Sequence, residues 1–113
     1  MRPTIYVGRE RPGLSLFWLD TVGTPVDFTT AGTWTYVVTL EQDGTTATLA
    51  GASVVANASP TADTGSAADV ATLSMSFTAG SLAGLAVGPA VLRVGATSGG
   101  LDRLGEWRLD VRS

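Results

Sequence analysis

Thr33-Trp-Thr-Tyr-Val-Val-Thr-Leu-Glu41 is the stretch that decides the fold. Trp34, Tyr36, Val38 and Leu40 fall in phase, and Thr33, Thr35, Thr39 and Glu41 fall between them, with Val37 the one exception. Side chains on a strand alternate between faces, so a period of two with the largest residues in phase predicts a strand with one buried face. Downstream, Asp43-Gly44 is the strongest hairpin signal in the chain, because a type I′ turn needs positive φ at both central positions. A fourth strand is expected from Thr45 or Thr46 towards Asn57, antiparallel to the first stretch.

Working outward, Ile5 to Gly8 reads as a short first strand, ended by Arg9-Glu10-Arg11-Pro12-Gly13, since proline cannot donate to a ladder and Pro-Gly is a turn dipeptide. Leu14 to Leu19 reads as a second strand, apolar on both faces: Leu14, Leu16 and Trp18 on one, Phe17 and Leu19 on the other. Such a strand is either internal or meets a partner. Asp20 to Pro25 is a turn. Ala58 to Ala68 holds no large apolar residue and reads as an exposed loop.

Val70 to Phe77 is a further strand, with Ala71, Leu73, Met75 and Phe77 inward and Thr72, Ser74 and Ser76 outward. A short helical turn is expected near residues 79–85, with Ser81 as its cap and Leu82 and Leu85 over one end of the core. Ala90, Leu92, Val94 and Ala96 alternate in a following strand, Ser98-Gly99-Gly100 is a turn, and Glu106 to Arg112 is the last strand with Trp107, Leu109 and Val111 inward. The sum is all-β: one domain, 1–113, forming an immunoglobulin-like β-sandwich of about seven antiparallel strands. Residues 1–12 are the candidate N-terminal contact segment.

Composition removes several chemistries. Neither cysteine nor histidine occurs among the 113 residues, which excludes disulfides, thiolate metal sites and imidazole general bases. The serines therefore have no histidine to activate them, and no carboxylates are spaced for acid–base work. No enzyme and no cofactor are expected. Asp63 and Asp69 bracket the long loop without the alternating Asp spacing of a calcium site. A net charge of −3 argues against nucleic acid as partner. No apolar run is long enough to span a membrane, and the N-terminus lacks the apolar core of a signal peptide, so synthesis and retention in a cytoplasm are expected.

Among the aromatic residues, Trp34 and Trp107 are in phase with their strands and read as core. Tyr6 and Trp18 are open to an outward position, where such residues favour interfaces. With the neighbouring charge cluster they make Tyr6, Arg9, Arg11, Phe17, Trp18 and Leu19 the candidate interface residues. Glu106 and Asp110 flank Arg108 and read as its ion-pair partners.

The order of features over roughly residues 10–112 resembles the immunoglobulin-like N-terminal domain of tailed-phage baseplate upper proteins and related fibre-adaptor domains. The resemblance lies in Leu14 to Asp20, then Gly23-Thr-Pro-Val-Asp27-Phe28, an alternating strand, a long middle, Phe77-Thr78-Ala79 with Leu82 to Leu85, Gly88 before a strand, and a final Trp107-Arg-Leu-Asp-Val111. Phe28 stands where that family usually has leucine, and Gly88-Pro89 reverses its usual Pro-Gly. The resemblance implies a non-enzymatic structural component of a bacteriophage particle, of baseplate, fibre-adaptor or capsid-decoration type. Its partners would be other virion proteins and copies of itself in a symmetric assembly, and its location the virion. The rival expectation is a carbohydrate-binding module or adhesin domain that stacks sugars on Trp18 or Tyr6.

Overall fold

In the computed structural model, which describes residues 4–7, 13–28 and 33–113, the chain is a two-sheet sandwich. Its strands are β1 (Thr4–Tyr6), β2 (Leu14–Leu16), β3 (Thr35–Gln42), β4 (Thr45–Thr48), β5 (Ala52–Ala56), β6 (Leu73–Phe77), β7 (Gly88–Ser98) and β8 (Leu101–Arg112). One sheet has the order β1-β8-β7-β3-β4 and the other β2-β6-β5. The chain crosses between the sheets at β1–β2, β2–β3, β4–β5 and β6–β7, whereas β3–β4, β5–β6 and β7–β8 are paired neighbours within one sheet.

Two tight turns set the register as their residues require. Asp43 and Gly44 have φ of 51° and 78°, and Gln42 pairs with Thr45 across them. Gly99 and Gly100 have φ of 53° and 88°, and Ser98 pairs with Leu101. The alternation then places Val38 and Leu40 from β3, Leu92 and Val94 from β7, and Leu109 and Val111 from β8 against Leu14, Leu16, Leu73 and Met75 from the smaller sheet. Burying each such leucine contributes about 1.5–3 kcal/mol relative to exposure.

The structure corrects several expectations. The described residues form eight strands, because the stretch from Thr45 divides at Leu49–Gly51 and its halves join different sheets. Gly51 permits the switch: a Cβ there would collide with the side chains of Ser81 and Thr78, while its carbonyl accepts the Thr78 N–H at 2.9 Å. β1 runs parallel to β8, with Thr4 opposite Asp110, so the strands are not all antiparallel. The final strand begins at Leu101 rather than Glu106, since its hairpin with β7 is paired along its whole length.

No helix forms at residues 79–85. The chain makes successive i→i+3 turns instead, with Ser81 N–H donating to Thr78 O and Leu85 N–H to Leu82 O. Gly80, at φ 83°, breaks helical geometry, and the Ser81 hydroxyl donates back to Thr78 O rather than capping an N–H. Leu82 nonetheless lies buried over the core as its position implied.

The second strand stops at Leu16 for a specific reason. Thr72, expected outward, is buried. Its hydroxyl accepts the Trp18 N–H at 2.9 Å and donates to the Trp18 carbonyl at 3.3 Å, taking the part that a strand backbone would play. Leu19 then bridges to Pro25, and Val26 N–H reaches Trp18 O at 2.9 Å. Thr72→Val keeps the shape but leaves one buried N–H without its acceptor, at a cost of about 1–3 kcal/mol. Urea denaturation of the valine and serine variants checks this, the serine variant retaining most of the stability.

Candidate contact surface

Of the six candidate interface residues, the four described ones, Tyr6, Phe17, Trp18 and Leu19, do not form one patch. Arg9 and Arg11 lie outside the described residues. Tyr6 sits at the end of β1, in register with Arg112, on the outer face of the larger sheet and 38% exposed. Phe17, Trp18 and Leu19 are half-buried just beyond the end of β2. Trp18 packs on Trp107 and the side of Gly105, five to seven residues back along β8 from Arg112, a separation of roughly 17–23 Å at strand rise.

Trp18 belongs to an aromatic cluster. Its ring meets Phe28 at 4.9 Å and Trp107 edge-on at 5.4 Å. Phe28 in turn meets Trp34 at 5.1 Å and Tyr36 at 6.1 Å. The Trp107 Nε1–H donates to the Phe17 carbonyl at 3.2 Å, which holds the chain after β2 against β8. Gly105 makes room for this packing: a Cβ there would lie 2.6 Å from Trp107 and 3.0 Å from Trp18. Burial pushes the Tyr36 phenol above its usual pKa. Sequence periodicity placed Trp34 and Trp107 correctly, but the Thr72 hydroxyl that holds the Trp18 backbone is visible only in the fold.

Charge is distributed unevenly between the sheets. Within the strands, charged residues occur only on β3, β7 and β8; β2, β4, β5 and β6 carry none. On the outer face of the larger sheet, Arg93 donates to Glu106 at 2.8 Å and to Glu41 at 2.9 Å. Those bonds, Glu106 first, raise the Arg93 pKa. Glu106 therefore pairs across the hairpin with Arg93 rather than along its own strand with Arg108, because cross-strand neighbours are closer than alternate residues on one strand. Asp110 approaches Arg112 at 3.9 Å. Beside the Arg93 pairs, exposed Val37 and Leu104 flank Gly95 in one row across the sheet.

The outer face of the smaller sheet is flat and neutral. Ser15 pairs with Ser74, and Ser53 with Ser76; Val55 stands beside Ser74 and is 59% exposed. Asn57 donates to the Ser74 hydroxyl and to Ala71 O, both at 2.9 Å, tying the start of the long loop to the sheet.

That loop closes on Asp69. Its carboxylate accepts the Thr64 hydroxyl at 2.8 Å, the Thr64 N–H at 2.7 Å and the Ser66 N–H at 3.1 Å, and the Thr64 hydroxyl bond leads in lowering its pKa, with both N–H groups adding to it. A depressed folded pKa means that the stabilisation is present above the ordinary carboxylate value and lost as pH falls through the folded one. Amide resonances of Thr64 and Ser66 are expected to shift together in NMR titration as pH falls below the ordinary carboxylate value, and Asp69→Asn to remove that transition.

Two depressions mark the surface. One of about 190 Å³ is lined by Glu41, Asp43, Pro89, Val91 and Arg108 among others, and one of about 40 Å³ lies between Tyr6, Gly13, Leu14 and Phe77. Both are smaller than the roughly 300–1,000 Å³ of small-molecule sites. Among the described residues, no three acidic side chains gather to hold a metal ion, and no helix is long and apolar enough to cross a membrane. Comparison with protein-family models, with curated proteins and with solved structures returns no match to this chain.

Proposed function

We propose that this chain is a non-enzymatic assembly module, a structural component of a bacteriophage particle that acts through protein–protein contacts with copies of itself and with other virion proteins. The observation that carries the assembly reading is the segregation of charge. One sheet is dressed with ion pairs for water, while the other presents neutral serine and valine. Charged residues are depleted where interfaces have their centres. The phage assignment rests on the sequence resemblance alone.

A carbohydrate-binding module is the second reading, and Tyr6 is the aromatic residue that favours it, being exposed on a sheet face. Light scattering on the purified chain, with a glycan array in parallel, separates the two. Self-association without glycan binding is the expected result. A monomer at every concentration that binds glycans, and loses them on Tyr6→Ala, overturns the assembly reading. Mass spectrometry of purified particles from the source tests the phage assignment, which fails if the chain is absent from them.

A further inference from the structure

Among the described residues, the longest edge strand is also the least protected. β1 and β2 are edges of three residues each and β4 of four, whereas β5 has five. Short strands, charges, prolines and bulges are what normally blunt an edge. β5 reads Ala-Ser-Val-Val-Ala, and the whole run from Gly44 to Ala62 contains no charged residue.

The ladder with β6 fixes which backbone groups point outward from this edge. Thr78 N–H bonds to Gly51 O, and Asn57 N–H to Thr72 O, so residues 51, 53, 55 and 57 turn their polar groups to β6. Ala52, Val54 and Ala56 turn theirs away. The Ala52 N–H is taken by Leu49 O at 3.1 Å. That leaves the N–H of Val54 and Ala56, and the carbonyls of Ala52, Val54 and Ala56, directed at the open side, where no described strand pairs with them.

We propose that a second copy of this chain pairs there, β5 against β5 in antiparallel register about a two-fold axis at Val54. The proposal rests on the assembly reading above and names its partner. The edge is palindromic in what matters: Ala52 falls opposite Ala56 of the second copy, Val54 opposite Val54, and Ser53 opposite Val55. The two Val54 residues exchange N–H and carbonyl bonds, and each Ala56 N–H reaches the other copy's Ala52 carbonyl, the one outward group at that end not already used. A closed two-fold contact of this kind is isologous and joins the smaller sheets into one of six strands, β2-β6-β5-β5-β6-β2. Neutrality selects the second copy over a charged partner: pairing desolvates no side-chain charge on either side. Half-buried Ala52, Val54 and Ala56, which pack against the core on this side, gain cover in the same step.

Sedimentation equilibrium across a wide concentration range tests this, with circular dichroism confirming that each variant folds. The wild-type chain is expected to form a reversible dimer. Ala56→Pro removes an N–H that the fold does not use and two of the intermolecular bonds, and is expected to weaken the dimer roughly 30-fold. The register gives a second, independent readout. Ser53→Lys with Val55→Lys sets like charges opposite each other and abolishes the dimer, whereas Ser53→Glu with Val55→Lys sets opposite charges together and retains it. A dimer indifferent to all three variants overturns the β5 proposal and leaves the assembly reading standing. A wild-type monomer throughout overturns the proposal, and glycan binding by that monomer overturns the assembly reading as well.

Discussion

Phe28→Ala is expected to lower stability by about 3–5 kcal/mol, a large share of the roughly 5–15 kcal/mol available to a domain. Phe28 is 4% exposed and is the one ring that touches Trp18, Trp34 and Tyr36 together. Its truncation removes apolar burial and opens a cavity that three rigid rings cannot collapse to fill. It also frees Trp18, whose emission is expected to shift to the red as water reaches the indole. Chemical denaturation followed by tryptophan fluorescence reads both effects. A loss below about 1 kcal/mol would mean that the cluster repacks and is not a fixed part of the core.

Gly13→Ala is expected to be nearly as costly, about 3 kcal/mol, at the upper end of overpacking penalties. A Cβ at this position collides with the Met75 carbonyl oxygen. Met75 is opposite Leu14 in the β2–β6 ladder, so the obstacle is backbone held by hydrogen bonds rather than a side chain that can swing aside. The matched control is Gly95→Ala, where the added methyl meets nothing closer than the Val37 carbonyl at 3.9 Å. Comparing denaturation midpoints of the two variants isolates the collision from the general effect of replacing glycine in extended chain.

The contrast between these two glycines shows where sequence reading reaches and where it stops. Gly13 follows proline and was legible as part of a turn, but its necessity comes from a neighbour sixty-two residues later, Met75 (75 − 13). Asp43-Gly44 and Gly99-Gly100 were legible in full, because backbone sterics alone demand positive φ there. Core positions of β3, β7 and the end of β8 followed from periodicity. Trp18 falls in phase with buried Leu14 and Leu16, but a run apolar on both faces leaves its side open in the sequence, and the Thr72 hydroxyl that holds its backbone is visible only in the fold. The ion pairs of Arg93 required knowing which strands are neighbours, as did the neutrality of one whole sheet. Residues near one another in sequence need not stay together on folding: Tyr6 lies beside Arg112 at the end of β8, and Trp18 against Gly105 and Trp107 near its middle.

The parallel pairing of β1 with β8 has a consequence for the order in which the molecule comes together. The β7–β8 hairpin closes over two residues and forms from local chain, whereas Thr4 meets Asp110 only after 106 intervening steps of chain (110 − 4) are in place. Loop-closure entropy makes so distant a contact a late event. β1 is thus the clasp fastened last, three residues long, and the first to open in the native state. Hydrogen exchange is expected to find the β1 amides exchanging well ahead of those at the centre of β7, and equal protection in the two strands would contradict that order.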